Sequence, residues 1–408
     1  MKKKLTLGLF GFGCVGQGLH RVLTETHGLE TEIRRICIKH PDKARPLPAD
    51  YFTTSSEELL DDPGIDVIVE LIDDADKAWE IVQQSLRRGK AVVTANKKMV
   101  AAHLDELREL ERQYDRPVLY EGAVCGSIPI IRNLEEYYDN DRIHRIEGIV
   151  NGSTNYILTK VTEQGLSYAD ALKEAQANGF AESDPTLDVQ GFDPSFKLSI
   201  LITHAFGMRV RPEEIIRIGI DKLSTSDLAF AKEHNLRIKL VAGAYRQGHK
   251  IIGLVSPKFL RENHALYAVR NEFNAVSVEG LFAEEQLFVG KGAGGNPTGS
   301  AVLSDISALR YDYRYEYRKG AQEQDLEFSR EGVVDVVVSC PPEVRISPSD
   351  FVRFKGGEKS RETHRLQGEI SLETLGRWSR HERISIVLAP GAVPQVARAT
   401  KQEELVAA

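Results

Sequence analysis

The chain has 408 residues, of which 41% are hydrophobic and 28% charged, and its formal net charge at pH 7 is −7. A chain of this length exceeds one ordinary hydrophobic core, so we expect two or three domains, and the mildly acidic balance argues against a nucleic-acid partner. No apolar run is long enough to cross a membrane, and the cysteines are too widely spaced to suggest a zinc site or a disulfide framework. We therefore expect a cytoplasmic protein with reduced thiols.

The first third of the chain alternates apolar runs with amphipathic segments. The apolar runs predict buried strands, and the segments between them have the spacing of helices. This alternation predicts an α/β fold with a parallel, doubly wound sheet of the Rossmann type. The predicted strands are Leu5–Phe10, Glu32–Lys39, Asp66–Ile72, Ala91–Thr94 and Val118–Tyr120, and the predicted helices are Val15–Thr24, Lys77–Arg88 and Leu104–Tyr114.

A glycine-rich turn, Gly11-x-Gly13-x-x-Gly16, joins the first predicted strand to the first predicted helix. Glycines there allow the backbone to approach a pyrophosphate, which rests on the positive N-terminus of the helix. A plain tight turn is the alternative, but the position between a strand and a helix favours dinucleotide binding. The residues expected to contact the cofactor are Phe10, Gly11, Gly13, Cys14, Val15 and Gly16.

The loop after the second predicted strand carries cations where many dinucleotide-binding domains carry an acid. Lys39 and His40 end the strand, and Lys43 and Arg45 follow. An acid would bind a ribose 2′-hydroxyl and repel a 2′-phosphate, whereas cations do the reverse. We therefore expect NADP(H), bound in part by Lys39, to be preferred over NAD(H); a plain solvated loop would carry the same cations.

The pattern changes near Gly126, after which predicted strands no longer alternate regularly with helices. This favours an α+β domain around a second, antiparallel sheet and a small α+β unit at the C-terminus. The predicted strands are Ile143–Val150, Ile238–Tyr245, Ile251–Val255, Ala275–Val278, Val333–Val338, His364–Ile370 and Ile384–Leu388. The predicted helices start at Asn151 and at the capping pattern from Ser167 to Asp170, and cover Phe196–Phe206, Ser300–Arg310 and Leu372–Arg380.

The segment from Ala175 to Lys197 combines four carboxylates and a lysine with two glycines and two prolines. The glycines and prolines exclude one continuous helix, so tight turns are expected. Such a turn suits a small polar substrate and a proton donor, but an acidic surface loop has the same composition. The charged residues are Glu182, Asp184, Asp188, Asp193 and Lys197.

Three shorter motifs each have a functional and a plain interpretation. Thr94-Ala-Asn-Lys97 ends a strand, where a lysine could reach a ligand beyond the sheet or lie on the surface. The bend Glu121–Ile128 could offer carbonyl groups to a hard cation or only link two domains. The glycine-rich turn Gly290–Ser300 precedes a helix and could bind a second phosphate or act as a hinge.

Together these motifs resemble those of the homoserine dehydrogenase family, from about Leu5 to Arg310. The resemblance implies reduction of L-aspartate 4-semialdehyde to L-homoserine with NAD(P)H, on the route to threonine and methionine. It also implies a Rossmann-type domain followed by a catalytic and dimerisation domain. The residues at the spacing of the family signature are Ala175, Gly179, Asp184, Pro185, Asp188, Gly191, Asp193 and Lys197.

The resemblance also implies roles for individual residues. Lys197 would be the proton donor, with Asp193 and Lys97 as further catalytic residues. The substrate-binding residues would be Glu182, Asp188 and Asp193, and Lys97, Gly179 and Gly294 would contact the cofactor. The family's monovalent cation site, usually described as sodium, matches Glu121 and the carbonyl groups of Val124, Gly126 and Ile128.

The implied domain plan has three parts. The dinucleotide-binding domain covers residues 1–129, with the helix at 298–320 packed back on it, and the catalytic domain covers 130–297. Residues 325–408 form a C-terminal appendage that lacks a convincing Asp-x-Pro-Gly opening and resembles at most a degenerate ACT-type domain. The family is usually dimeric, so the resemblance implies a homodimer.

Two other functions fit part of the pattern. Another two-domain NADP-linked reductase, such as a dihydrodipicolinate reductase, would share the dinucleotide loop but leaves the motif from Asp184 to Lys197 unexplained. A non-catalytic dinucleotide-binding sensor would have no need of a proton donor. Assays with both substrates and NADPH would separate these alternatives.

Overall fold

The computed structural model describes residues 4–26, 29–322 and 325–396. The chain divides into two compact units, each built from several segments. The first unit comprises Met1–Asn140, Ser199–Pro212 and Phe288–Gln322, and the second comprises Asp141–Leu198, Glu213–Leu287 and Glu323–Ala408. The three-domain plan expected from the sequence stays a prediction, and its ends at residues 1–3 and 397–408 lie outside the described residues.

The strands are numbered along the chain. They are β1 (Leu5–Phe10), β2 (Thr31–Cys37), β3 (Phe52–Thr53), β4 (Val67–Glu70), β5 (Ala91–Thr94), β6 (Val118–Leu119), β7 (Ile143–Ile149), β8 (Ile216–Arg217), β9 (Arg237–Gln247), β10 (Lys250–Leu260), β11 (Phe273–Gly280), β12 (Glu284–Lys291), β13 (Glu327–Phe328), β14 (Val333–Cys340), β15 (Arg353–Lys359), β16 (His364–Ser371) and β17 (Ser385–Leu388).

The helices are numbered in the same way. They are α1 (Cys14–Glu25), α2 (Glu57–Leu60), α3 (Ala75–Arg87), α4 (Lys97–Ala102), α5 (Leu104–Tyr114), α6 (Ile130–Arg132), α7 (Gly152–Gln164), α8 (Tyr168–Ala177), α9 (Thr186–Val189), α10 (Phe192–Phe206), α11 (Thr225–Glu233), α12 (Gly295–Leu309), α13 (Arg318–Gln322) and α14 (Leu372–Trp378). Short 3-10 or π turns lie at Ala49–Tyr51, Glu121–Ala123, Asn133–Tyr137, Pro212–Glu214 and Pro348–Asp350. Within the described ranges, no helix has the length and apolar character needed to cross a membrane.

The sheet of the first unit confirms the predicted Rossmann-type architecture. Its strand order is β3-β2-β1-β4-β5-β6, and every pairing is parallel. Apolar side chains of the central strands, such as Leu7, Leu9 and Val69, are fully buried, as expected for a sheet covered on both faces. The carboxyl ends of β1, β4 and β5 lie in register, since Phe10 pairs with Glu70 and Glu70 pairs with Thr94.

Helices α1 and α12 of this unit meet backbone to backbone. A Cβ atom at Gly18 would lie 2.0 Å from the carbonyl oxygen of Gly295, and one at Gly299 would lie 2.5 Å from the amide nitrogen of Leu19. No side chain can fit at such distances, so glycine is required at the crossing. The contact brings the start of α12 beside the start of α1.

The sheet of the second unit differs from the prediction, because it is mixed rather than antiparallel. Its order is β12-β11-β7-β9-β10-β17-β14-β16-β15. Most neighbours are antiparallel, but β10 also pairs in parallel with β8, β13 and β17. The strands of the C-terminal segment therefore continue this sheet through β17 instead of forming a sheet of their own.

Among the elements that differ from the sequence predictions are two edge strands and the starts of two helices. The edge strands β12 and β15 were not predicted, because their mixed polar composition resembles a loop. Helix α12 starts inside the predicted glycine-rich turn, since an N-terminus tolerates glycine. Helix α10 starts four residues before the predicted position, at Phe192; Pro194 fits there because its missing N–H lies in the first turn.

We predict that Gly18→Ala lowers the melting temperature of the protein. The added methyl group would overlap the Gly295 carbonyl oxygen, and overpacking of this kind costs about 1–3 kcal/mol or more. Gly376→Ala in α14 is the matched control, because a Cβ atom there meets nothing within 4 Å and alanine favours a helix. Differential scanning calorimetry should show a lower melting temperature only for Gly18→Ala. Equal melting temperatures for the wild type and Gly18→Ala would contradict the prediction.

Candidate active site

The turn after β1 has the geometry that the glycine motif predicts. Gly11 adopts a φ of +94°, and a Cβ atom there would lie 2.6 Å from the Leu71 carbonyl oxygen. A Cβ atom at Gly16 would lie 2.7 Å from the Gly11 carbonyl oxygen. Both glycines are therefore needed to form the turn itself. At Gly13, in contrast, a Cβ atom meets nothing within 4 Å, so this backbone faces open space.

Two helix N-termini converge beside Gly13. Gly13 is the N-cap of α1 and Gly294, with a φ of +111°, is the N-cap of α12; neither helix has a side-chain cap or an acid in its first turn. A Cβ atom at Gly295 would lie only 2.6 Å from the Cys14 carbonyl oxygen. Amide groups and the positive ends of two helix dipoles thus lie close together, an arrangement suited to an anionic group such as a pyrophosphate.

The cationic loop after β2 is held in place by Arg45. Its guanidinium donates hydrogen bonds of 2.7 Å to the carbonyl groups of Lys43 and His40 and lies 5.3 Å from the centroid of the Phe52 ring. Lys39, His40 and Lys43 are exposed. A cavity of about 570 Å³ beside the loop is lined by residues that include Lys43, Arg45, Phe52, Thr53 and Thr54.

Lys97 is the first residue of α4 and is half-buried. The start of this helix is fixed by Asn96, whose side-chain oxygen accepts a hydrogen bond from the Met99 amide at 2.9 Å. The Asn96 amide group also donates to the Ile72 carbonyl at 3.0 Å. Lys97 therefore lies beyond the carboxyl end of β5, at the same edge of the sheet as the Gly11 turn.

The predicted cation site contains a buried acid. Both carboxylate oxygens of Glu121 accept backbone hydrogen bonds of 2.9 Å, from Ile131 and Arg132 at the start of α6. Burial is the main cause that raises the pKa of Glu121 to about 7. The neighbouring carboxylate of Asp305, also fully buried, accepts from the Glu121 amide at 2.9 Å.

The backbone that follows Glu121 turns sharply, and the carbonyl ligands expected here stay a prediction. Cys125 and Gly126 both adopt positive φ angles, and Gly126 packs against the backbone at Lys291 and Gly292. The Ile128 carbonyl accepts a hydrogen bond from the Ile130 amide at 2.8 Å. A carbonyl oxygen has two lone pairs, so this bond leaves Ile128 able to bind a cation as well.

In the second unit, Lys197 lies at the centre of a buried polar network. Its ammonium donates to the Asp193 carboxylate and to the Val150 carbonyl, both at 2.7 Å. Lys197 and Asp193 lie one turn apart on α10, and their side chains are only 8% and 3% exposed. In such a dry environment the attraction between the two charges is strong, so both are held in fixed positions.

Asn151 joins two acids of this network, a role that its sequence context does not predict. Its side-chain amide donates to Asp188 at 2.7 Å and to Asp193 at 2.8 Å. Its side-chain oxygen caps α7 by accepting from the Thr154 amide at 2.9 Å. Burial and the charge of Asp193 raise the pKa of Asp188. The signal in the sequence was an asparagine between a strand and a helix, which predicts only the cap.

The other predicted residues of this segment lie outside the network. Glu182 is exposed, and its carbonyl group accepts from the Gln176 side chain at 2.9 Å. Asp184 is exposed and caps the turn before α9 by accepting from Thr186. Gly179 has a φ of +74° and faces open space. The structure thus brings together Asp188, Asp193 and Lys197, but not Glu182 or Gly179.

Each unit therefore offers one part of a redox chemistry. The first unit offers a backbone cradle for a dinucleotide, with a lysine at the same edge of its sheet. The second offers a buried ammonium held by a carboxylate, which can stabilise negative charge that develops on a substrate oxygen and can supply a proton.

Comparisons with known proteins identify the family. The family model of the homoserine dehydrogenase NAD binding domain matches residues 11–121, and that of homoserine dehydrogenase matches residues 129–307. The homoserine dehydrogenase of Bacillus subtilis is 39% identical over 321 residues, which cover 76% of this chain and 74% of the relative. That of Helicobacter pylori is 37% identical over 313 residues, covering 75% and 74%.

Solved structures agree. The homoserine dehydrogenase of Thiobacillus denitrificans has a TM-score of 0.83 and 30% identity, covering 95% of this chain and 98% of that chain. A hyperthermophilic archaeal homoserine dehydrogenase mutant in complex with NADPH has a TM-score of 0.65 and 28% identity, covering 77% and 100%. These matches favour this family over the reductase and sensor alternatives. The chain belongs to the homoserine dehydrogenase family and is an oxidoreductase that acts on a CH–OH group.

Proposed function

We propose that this enzyme interconverts L-homoserine and L-aspartate 4-semialdehyde with NADP(H), as a cytoplasmic step towards threonine and methionine. The observation that carries the proposal is the Lys197 ammonium, buried and held at 2.7 Å from Asp193. NADP-dependent oxidation of L-homoserine, followed by the absorbance of the reduced cofactor, tests it directly. No oxidation of L-homoserine with either NADP or NAD would reject it.

Lys197 is the group that acts on the reacting oxygen. When bound, NADPH would supply the hydride for the aldehyde carbon, and negative charge would develop on the oxygen. Lys197 stabilises this charge and donates the proton that completes the alcohol. Asp193 and the Val150 carbonyl orient the ammonium, and Lys97 is proposed to contact both cofactor and substrate.

Carboxylates are proposed to bind the polar end of the substrate. Asp193 and Asp188 lie beside Lys197 and are linked through Asn151. Glu182 is exposed on the turn that precedes α9, where its carboxylate could pair with the substrate ammonium. Gly179, on the same turn, faces open space and is proposed to lie against the cofactor.

We predict that Lys197→Met lowers kcat by roughly 10²-fold or more, because the loss of a general acid typically costs 10²–10⁴-fold. Methionine keeps most of the side-chain length without the charge. Lys173→Met, an exposed lysine on α8, is the matched control and should keep wild-type turnover. Steady-state kinetics would contradict the role of Lys197 if both variants turned over at comparable rates.

The loop after β2 is proposed to select NADP(H) over NAD(H). Lys39 and Lys43 are exposed cations beyond the carboxyl end of β2, with the exposed His40 between them, where the adenosine ribose of a dinucleotide binds in this fold. The cavity lined by Lys43 and Arg45 has threonine hydroxyl groups that could bind a phosphate as well. The NADPH complex of the archaeal relative is consistent with this preference.

We predict that Lys39→Glu lowers kcat/KM for NADPH by roughly tenfold, since the reversed charge repels the 2′-phosphate, and leaves kcat/KM for NADH nearly unchanged. Lys77→Glu, which reverses an exposed lysine on α3, controls for the change in net charge. An equal loss with both cofactors would show that Lys39 does not read the 2′-phosphate.

A monovalent cation, with sodium as the first candidate, is proposed to bind at Glu121 and the carbonyl groups of Val124, Gly126 and Ile128. The donor set fits a hard cation, because it consists of oxygen atoms only. A cation would also offset the burial that raises the pKa of Glu121 to about 7. When bound, it would hold the bend before α6 in one shape.

We predict that sodium raises the melting temperature more at about pH 8 than at about pH 6, because the cation binds the ionised form of Glu121, whose pKa is about 7. As the pH falls through that pKa, protons displace the cation and its effect is lost. Glu121→Gln should remove the difference, whereas Glu111→Gln, at another buried acid, should retain it. Choline chloride controls for ionic strength, and an equal effect of choline would contradict a specific site.

The second unit is proposed to form a homodimer through its sheet. The turn between β11 and β12 exposes Leu281 and Phe282, the latter by 75%, and β12 exposes Leu287. Exposed apolar side chains grouped at the end of a sheet are typical of an interaction surface. Analytical ultracentrifugation of the wild type and of Phe282→Ser would test the dimer.

A further inference from the structure

Glu70 is a fully buried acid outside the motifs of the sequence. It is the last residue of β4, and its register partners at the carboxyl edge are Phe10 of β1 and Thr94 of β5. Glu70 thus lies in the sheet between the two strands whose loops carry Gly11 and Lys97. A buried carboxylate must be hydrogen-bonded, and its partners show what it holds in place.

Each oxygen of the Glu70 carboxylate accepts a hydrogen bond from a different segment, the loop after β4 and the end of β5. One accepts from the Ile72 amide at 2.6 Å, and the other from the Thr94 hydroxyl at 2.5 Å. The Thr94 hydroxyl in turn accepts from the Asn96 amide at 3.0 Å. Because the hydroxyl has one proton, which it gives to Glu70, the direction of this chain requires an acceptor at Glu70, as the ionised form provides.

The chain of bonds continues to the residues that form the cofactor edge. Asn96 binds back to the Ile72 carbonyl at 3.0 Å and caps α4, which begins at Lys97. On the other side, the Leu71 amide donates to the Phe10 carbonyl at 2.8 Å, and Leu71 packs against Gly11. Glu70 thus fixes the short segment from Leu71 to Ile72, which contacts both the Gly11 turn and the Asn96 turn.

We propose that Glu70 is a positioning residue of the cofactor site, whose ionised carboxylate holds the loops after β1, β4 and β5 in the arrangement that binds the dinucleotide. This inference rests on the proposed dinucleotide site and adds a residue that need not touch the cofactor. Glu70 acts through Thr94 and Ile72, so its loss should weaken binding without removing any group that contacts NADPH.

The charge on Glu70 responds to pH near neutrality. Burial raises its pKa to about 7, hydrogen bonds from Thr94 and Ile72 oppose that rise, and the charge of Asp73 adds to it. The groups that face it from β1 and β5, Phe10 and Thr94, do not titrate. Below this pKa one carboxyl oxygen carries a proton and no longer accepts as it did, so the hydrogen bond at that oxygen must reverse or be lost.

The test is the dissociation constant of NADPH, measured by calorimetry between about pH 6 and about pH 8, one unit on either side of the pKa of Glu70. If only the ionised form is competent, the wild-type Kd rises roughly tenfold towards the lower pH, because the competent fraction falls by that factor. Glu70→Gln should bind NADPH roughly tenfold more weakly than the wild type at the higher pH. Its Kd should not show the roughly tenfold rise towards the lower pH. Titration of NADPH itself is common to both proteins and cancels in their comparison.

Two further variants separate positioning from a general loss of stability. Thr94→Val, which keeps the shape but removes the hydroxyl, should weaken NADPH binding about as much as Glu70→Gln, and Thr94→Ser should restore it. Because both residues belong to one chain of hydrogen bonds, the double variant should bind NADPH no more weakly than either single variant. Glu111→Gln is the matched control: Glu111 is also buried, but its carboxylate accepts from the Val118 amide at the opposite, amino-terminal edge of the sheet.

The outcomes are distinguishable. The inference is overturned if the Kd of Glu70→Gln for NADPH lies within about twofold of the wild-type value, or if the Kd of both proteins changes equally with pH. An equal loss of NADPH affinity in Glu111→Gln would also overturn it. Gly13→Asp tests the underlying site, since it adds a carboxylate where a pyrophosphate is proposed to bind. Intact NADPH binding in Gly13→Asp would reject the dinucleotide site itself, whereas its loss together with unchanged binding in Glu70→Gln would reject only the role of Glu70.

Discussion

The first unit depends on the contact between α1 and α12, in which two helices meet through their backbones. Gly18 and Gly295 leave no room for a side chain on either helix at the crossing. Only this close approach allows the two N-termini to lie beside the same open backbone at Gly13. The proposed anion site would therefore be made of peptide groups, whose position is set by the packing of the unit and costs no side-chain entropy to hold.

The second unit positions charge with a buried side chain rather than with backbone groups. Lys197 is removed from water, and its ammonium is kept by one carboxylate and one carbonyl group. Removing a charge from water costs free energy, so the groups around it must be held by further hydrogen bonds. Asn151 provides such bonds by donating to both Asp188 and Asp193. Glu70 in the first unit follows the same rule, because its buried carboxylate is hydrogen-bonded to the segments that it holds together. In both cases the residues that support the charged group are as informative as the group itself.

Much of the fold could be predicted because its signals are local. The apolar runs of β1 and β5 and the glycines of the first turn determine their own conformation, and the bounds of both strands were predicted correctly. The edge strands β12 and β15 could not be predicted, because their pairing comes from neighbours rather than from their own composition. The roles of Asn151 and Glu70 were also hidden, since an asparagine cap and a strand-ending glutamate carry no mark of partners that lie many residues away.

The discontinuity of the first unit has a consequence for biosynthesis. Its sheet is complete once Leu119 has been made, but Gly18 has no partner until Gly295, on α12, has left the ribosome. The N-terminal segment must therefore wait, with the apolar face of α1 uncovered, while most of the second unit is synthesised. Such a long-range contact slows folding and exposes apolar surface to aggregation in the meantime. The order of synthesis therefore delays closure of the cofactor cradle until α12 has been made, although the strands of the parallel sheet are available much earlier.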